Sequence, residues 1–139
     1  MIENNSAQIK ALVLDGISQL NEGRFFDAHE TLEAAWHLEK APIRALYQGL
    51  IQLSVACFHA ERKNWVGAGR VLQRARKKLL PFIDMDSMID VPDVLRQIEN
   101  CTEIINKLLM SSVTDQEIVD SPQVKLKGRA DQGFIPGSG

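Results

Sequence analysis

The stretch that most constrains the fold is LYQGLIQLSVACFH, Leu46 to His59, which is apolar on nearly every side of a helix. A helix of that kind is stable only when other helices surround it. It predicts a central helix from Ile43 to about Arg62 inside an all-α bundle. The run is also too short to cross a bilayer, which needs about 20 apolar residues, and Gln48 and Gln52 interrupt it.

The neighbours of that helix are legible as further apolar stripes. Asn5 or Ser6 is positioned to cap a first helix, in which Ile9, Leu12, Val13, Ile17 and Leu20 recur at helical spacing, with a stop near Gly23. A second helix begins at about Phe25 and turns Phe25, Ala28, His29, Leu32, Ala35 and Trp36 inward, until Ala41 and Pro42 break it. After Lys63 and Asn64, a fourth helix carries Trp65, Ala68, Leu72, Ala75 and Leu79 inward and ends at Pro81. Asp84 to Asp90 reads as a polar loop, and Asp90, Val91 and Pro92 open a fifth helix through Val94, Leu95, Ile98, Cys101, Ile105 and Leu108. The periodicity fades after Met110. The expectation is therefore one bundle domain over residues 1–112 and a poorly structured C-terminal extension over 113–139, mobile or packed on a neighbour.

Ala28, Leu32 and Ala35 are echoed by Ala68, Leu72 and Ala75, each set following a short polar turn. The pattern weakly resembles the tetratricopeptide repeat. A solenoid normally needs three or more copies, so two antiparallel helical hairpins closing on each other, completed by the fifth helix, are the expected architecture.

Composition narrows the partners. With 139 residues the chain fits a single domain with a real core, and a net charge of -2 gives no global attraction to nucleic acid or anionic membrane. The basic run RVLQRARKKLL, Arg70 to Leu80, reads as a solvated helix face, since no aromatic or glycine-rich interleaving accompanies it. Neither nucleic acid nor membrane is expected as a partner; a protein partner or a homo-oligomer stays open. Cys57 and Cys101 lack paired metal or redox spacing and read as reduced core residues of a cytosolic protein. The start MIENNSAQIK has no secretory pattern, which also points to the cytoplasm.

Polar residues stand where a plain core would have none. His29, Glu30 and Glu33 precede Trp36 on the second helix, and Tyr47, Gln48, Gln52 and His59 lie on the third. If the turn between them centres near Lys40, Glu33 falls opposite Tyr47 and Gln48, and His29 opposite Ile51 and Gln52. A buried polar group left unpaired costs about 1 to 3 kcal/mol, so a buried hydrogen-bond network fixing the register of the two helices is the leading reading. Alternatives are a pocket for a small ligand or metal, and acid or base chemistry by Glu33 and His29. His59 lies seven residues beyond Gln52, and is expected to reach the turn around Asn21 to Arg24 rather than His29. Glu30-x-x-Glu33 is not the Glu-x-x-His of dimetal carboxylate bundles, nor is His29-Glu30-x-x-Glu33 the zinc-protease motif. No catalytic residue, metal or cofactor is assigned, and whether the chain is an enzyme stays open.

These residues also carry a resemblance. FFDAHETLEAAW followed by ALYQGLIQLSVACFHAERKNWVGAGRVLQRA resembles the bacterial and archaeal family called domain of unknown function 309. The matching positions are His29, Glu30, Leu32, Glu33 and Trp36, then Tyr47 to Gln52 and His59, then Asn64, Gly67 and Ala68, within roughly Asp15 to Leu80. The resemblance implies a small all-helical domain and brings no activity with it.

Overall fold

A computed structural model describes residues 5–110 and 121–126. It contains helices α1 (Ser6–Asn21), α2 (Phe25–Leu38), α3 (Arg44–Glu61), α4 (Trp65–Leu79) and α5 (Val91–Met110), with a 3-10 turn over Leu80–Phe82 after α4. The all-α bundle read from periodicity is therefore present, and its helix boundaries fall within a residue or two of those expected. No helix among the described residues is long and apolar enough to cross a membrane.

Each helix packs on the next in the chain, and the pairs run antiparallel. At Gly16 of α1 the backbone approaches Leu32 of α2, where an added Cβ would sit 2.6 Å from the leucine side chain. Gly49 of α3 meets Leu79 of α4 in the same way, at 2.8 Å. In the last pair, Gly69 of α4 faces Ile105 of α5, while Gln73 Nε2 donates to Thr102 Oγ1 at 3.2 Å. α3 contributes nine buried residues, more than any other helix, and packs against both α2 and α4, which is the central place its composition requires.

The turns after α1 and α3 have the same geometry. Gly23 and Lys63 adopt the left-handed conformation, with φ of 83° and 61°. In the first turn the Gly23 N–H donates to Leu20 O and the Arg24 N–H to Gln19 O; in the second, Lys63 donates to Ala60 O and Asn64 to His59 O. Both are Schellman caps, which satisfy carbonyls that the helix end would otherwise orphan. The sequence echo between Ala28, Leu32, Ala35 and Ala68, Leu72, Ala75 thus begins at two equivalent turns, and all six residues are buried.

Some local expectations are corrected. Asn5 stands at the N-cap of α1 but makes no side-chain cap bond. Asn64 does cap, accepting from the Gly67 N–H at 3.1 Å to start α4. Trp36 and Trp65, expected inward, are partly buried and pack against the core, whereas His29, also expected inward, is only half-buried. The 112/113 boundary expected for the bundle lies outside the described residues. Of the extension beyond it, Ser121 to Leu126 is described, and it runs extended against the bundle, with Pro122 and Val124 buried and Leu126 forming a single antiparallel bridge with Ile89.

Candidate functional site

α2 and α3 meet along a seam whose two ends are fixed by contacts. At one end Arg44 at the start of α3 reaches back to α2, its Nε donating to Trp36 O at 3.1 Å and its guanidinium stacking 3.9 Å from the centre of the Trp36 ring. At the other end His29 lines a cleft of about 170 Å³ with Phe25, Phe26, Ser54, Val55 and Phe58. Helical spacing places Glu33 between His29 and Trp36 on α2, and Gln48 and Gln52 between Arg44 and Val55 on α3. By that spacing His29, Glu33 and Trp36 share one face of α2, and Gln48 and Gln52 share one face of α3; all five are half-buried.

The expected buried network is not formed. Ser54 and Asp93 are the buried polar residues among those described, and no hydrogen bond joins His29, Glu33, Gln48 or Gln52 to one another. Gln52 Oε1 is enclosed and has no partner among the described residues, a condition shared only by Gln19 Oε1. The pairing fails on register as well as on burial. His29 lines its cleft with Ser54, Val55 and Phe58, farther along α3 than the Ile51 and Gln52 that a turn centred on Lys40 predicts. The link itself explains part of this, since Glu39 is extended (ψ 128°) and the connection is wider than a tight turn.

The other predicted residues go elsewhere. Glu30 is exposed. His59 does not reach the Asn21 to Arg24 turn; its Nδ1 lies 3.2 Å from Asn64 Nδ2 in the turn that follows α3. The Asn64 oxygen caps α4, so the amide must present its nitrogen to His59, and the imidazole accepts there. Tyr47 is buried beside Glu39, away from the seam. Burial first, then the charge and hydrogen bond of Glu39, raise its phenol above 10.0.

Tyr47 opens on the largest cleft described, about 350 Å³, between the start of α1, the α2–α3 link and the loop before α5. Its polar groups are Ser6, Lys10, Glu39, Tyr47 and Ser87, over a floor that includes Ile9, Leu46 and Ile89. Sequence reasoning found Tyr47 and did not connect it with the other four polar residues, because they are ordinary surface types spread over α1, the α2–α3 link and the loop before α5. A third, small cavity of about 20 Å³, room for one water, lies between Cys57 and Cys101 under Ser121 and Pro122. Burial, reinforced by Cys101, pushes the Cys57 thiol up to about 12, which makes it a packing residue rather than a nucleophile at neutral pH.

Chemically the seam offers hydrogen-bond donors and acceptors next to an apolar cleft, with no base and nucleophile in contact. Among the described residues no group of three or more His, Cys, Asp or Glu side chains could hold a metal ion. No curated protein and no solved structure matches the chain. Residues 13–71, which run from α1 into α4 and contain the whole seam, match the model of the family described as "Domain of unknown function (DUF309)".

Proposed function

We propose that the protein is a helical binding module without a catalytic centre, and that the α2–α3 seam is its binding face. The observation that carries this reading is the enclosed, unpartnered Gln52 Oε1 on a seam whose other polar side chains make no hydrogen bond to one another. An acceptor held in that state costs about 1 to 3 kcal/mol, a cost that would be removed if a partner opened the seam and supplied a donor. The cleft beside His29, with Phe26 62% exposed at its rim, adds an apolar contact for the same partner.

Urea unfolding of Gln52→Leu tests the proposal. Removing an orphaned amide from a binding face is expected to raise stability by about 1 kcal/mol. A loss of that size or more would return Gln52 to a structural role and remove the argument. Glu33→Gln and His29→Ala are expected to leave the melting temperature within about 2 °C, since surface changes usually stay within about 0.5 kcal/mol.

A second reading rests on the cleft beside Tyr47, whose volume of about 350 Å³ lies within the range of small-ligand sites. Lys10 and Glu39 at its wall suit a small molecule with an apolar body and a charged end. A thermal-shift screen in which hits are lost in Tyr47→Phe but kept in Gln52→Leu would assign binding to this cleft; the opposite pattern would assign it to the seam.

A further inference from the structure

The segment Ser121–Leu126 is held by a set of contacts that read a backbone rather than a sequence. Gln97 of α5 pairs with both backbone groups of Gln123, its Oε1 accepting from the N–H at 2.9 Å and its Nε2 donating to the C=O at 2.7 Å. Asn21 at the end of α1 does the same for Val124, at 2.9 and 3.0 Å. Consecutive residues of an extended chain point these groups to opposite sides, so the two amides grip both edges of the segment. Past them, the Asp90 N–H donates to Lys125 O at 2.8 Å.

A buried carboxylate backs the groove. Asp93 is buried, and its Oδ2 accepts from Gln97 Nε2 at 2.7 Å, which fixes the amide so that Oε1 faces the segment's N–H. The same carboxylate contacts Arg96 and lies 3.9 Å from Lys125 Nζ. Side chains alternate as the extended backbone demands: Pro122 and Val124 enter the groove, while Gln123 and Lys125 stay exposed. Nothing in these contacts depends on the covalent link to α5. Without an occupant, the Asn21 amide would lose both of its partners and Gln97 would keep only Asp93, and the cavity beside Cys57 and Cys101 would lose the Ser121 and Pro122 that cover it.

We propose that the α1–α5 groove is a peptide-recognition groove, and that the partner it fits is an extended segment of the pattern Pro-x-Val-basic-Leu, for which Ser121–Leu126 is the tethered intramolecular stand-in. The amides supply backbone affinity, the sites of Pro122 and Val124 supply specificity, and Asp93 selects the basic residue, as in other strand-like peptide recognition. A tether holds its segment at an effective concentration in the millimolar range, so a free peptide competes only when the tethered copy is weakened. This proposal is independent of the seam.

The test uses the full chain and a fluorescently labelled peptide, Ser-Pro-Gln-Val-Lys-Leu. In the chain, Val124→Asp places a carboxylate in a buried apolar site and releases the tethered copy. Fluorescence anisotropy is expected to give at least tenfold tighter binding to Val124→Asp than to wild type, and a loss of at least tenfold when Gln97→Ala is added. A peptide with aspartate at the valine position is expected not to bind. Absence of binding to a Val124→Asp chain with native helical circular dichroism would overturn the proposal, as would binding indifferent to Gln97→Ala. If Val124→Asp does not fold, a protease site placed between Met110 and Ser121 lets the segment be cut from α5. The released fragment is expected to stay associated and to be displaced by excess peptide; immediate dissociation, or resistance to displacement, counts against the groove. A wild-type dimer that forms with concentration and is dissolved by Val124→Asp would reassign the groove to exchange between copies, and so overturn a partner peptide.

Discussion

Gly23 and Lys63 occupy the same left-handed position in two equivalent helix caps, yet one is glycine and the other is not. A Cβ at Gly23 would meet nothing within 4 Å, so Gly23→Ala isolates the conformational penalty of the left-handed state, about 1 kcal/mol of lost stability in chemical denaturation. Lys63→Gly is expected to move the other way, by roughly 0.5 to 1 kcal/mol. Equal effects of one sign at both sites would show that the two turns are not equivalent. Tyr47, the single tyrosine, offers a spectroscopic check on burial. Its absorbance change near 295 nm is expected at a midpoint above 10.0 in the native protein and near the ordinary tyrosine value in urea. The glycine stop was legible at residue scale because few other residues enter that conformation readily. Lys63 was legible only through the echo, and Glu39 beside Tyr47 not at all, since a carboxylate in a link has no local signature.

Between helices, spacing is set by side-chain size at the points of closest approach. Gly16→Ala gains about 1 kcal/mol of helix propensity, but its Cβ would stand 2.6 Å from Leu32, which is fully buried and cannot swing away. Overpacking of that kind costs about 1 to 3 kcal/mol, so the net change is destabilising. At Gly69 the nearest atom is Ile105 Cγ2 at 3.6 Å, ordinary contact, and Gly69→Ala is expected to stabilise by up to about 1 kcal/mol. Opposite signs in paired melting curves would confirm that α1–α2 is a close contact and α4–α5 a looser one. The helices themselves could be read because apolar residues at a 3.6 period mark a buried face whatever the partner is. The pairing of His29 and Glu33 with Gln48 and Gln52 could not, because it depends on the width of the 39–43 link. Glu39 is extended there, and His29 lines its cleft with Ser54, Val55 and Phe58 rather than Gln52. Periodicity also ranked His29 as inward when it stands at the edge of the face, a difference of a fraction of a turn that decides whether a polar group is locked in or offered out.

For the molecule as a whole, the least legible part is the one that closes it. Asn21 and Val124 are 103 residues apart and meet through an amide and a backbone, a contact with no period and no motif. That segment covers the cavity beside Cys57, and burial of the thiol links closure to pH. Well below 9.0 the Cys57 thiol is protonated whether the chain is folded or not, and it has no effect on the balance. Above that value the unfolded chain releases a proton which the folded chain holds up to about 12, so stability is lost as the pH rises through this window. Tyr47 adds a loss of the same sign above 10.0. Denaturation curves from pH 8 to 11 are therefore expected to fall, with Cys57→Ala less steep than wild type and Cys57→Ala with Tyr47→Phe less steep again. If the segment is the cover, Val124→Asp lets water reach the thiol, draws its pKa back toward 9.0, and flattens the same curve without altering Cys57. A Val124→Asp chain that stays folded and keeps the wild-type slope would mean that α3, α4 and α5 bury Cys57 unaided, and that the segment rests on the bundle without closing it.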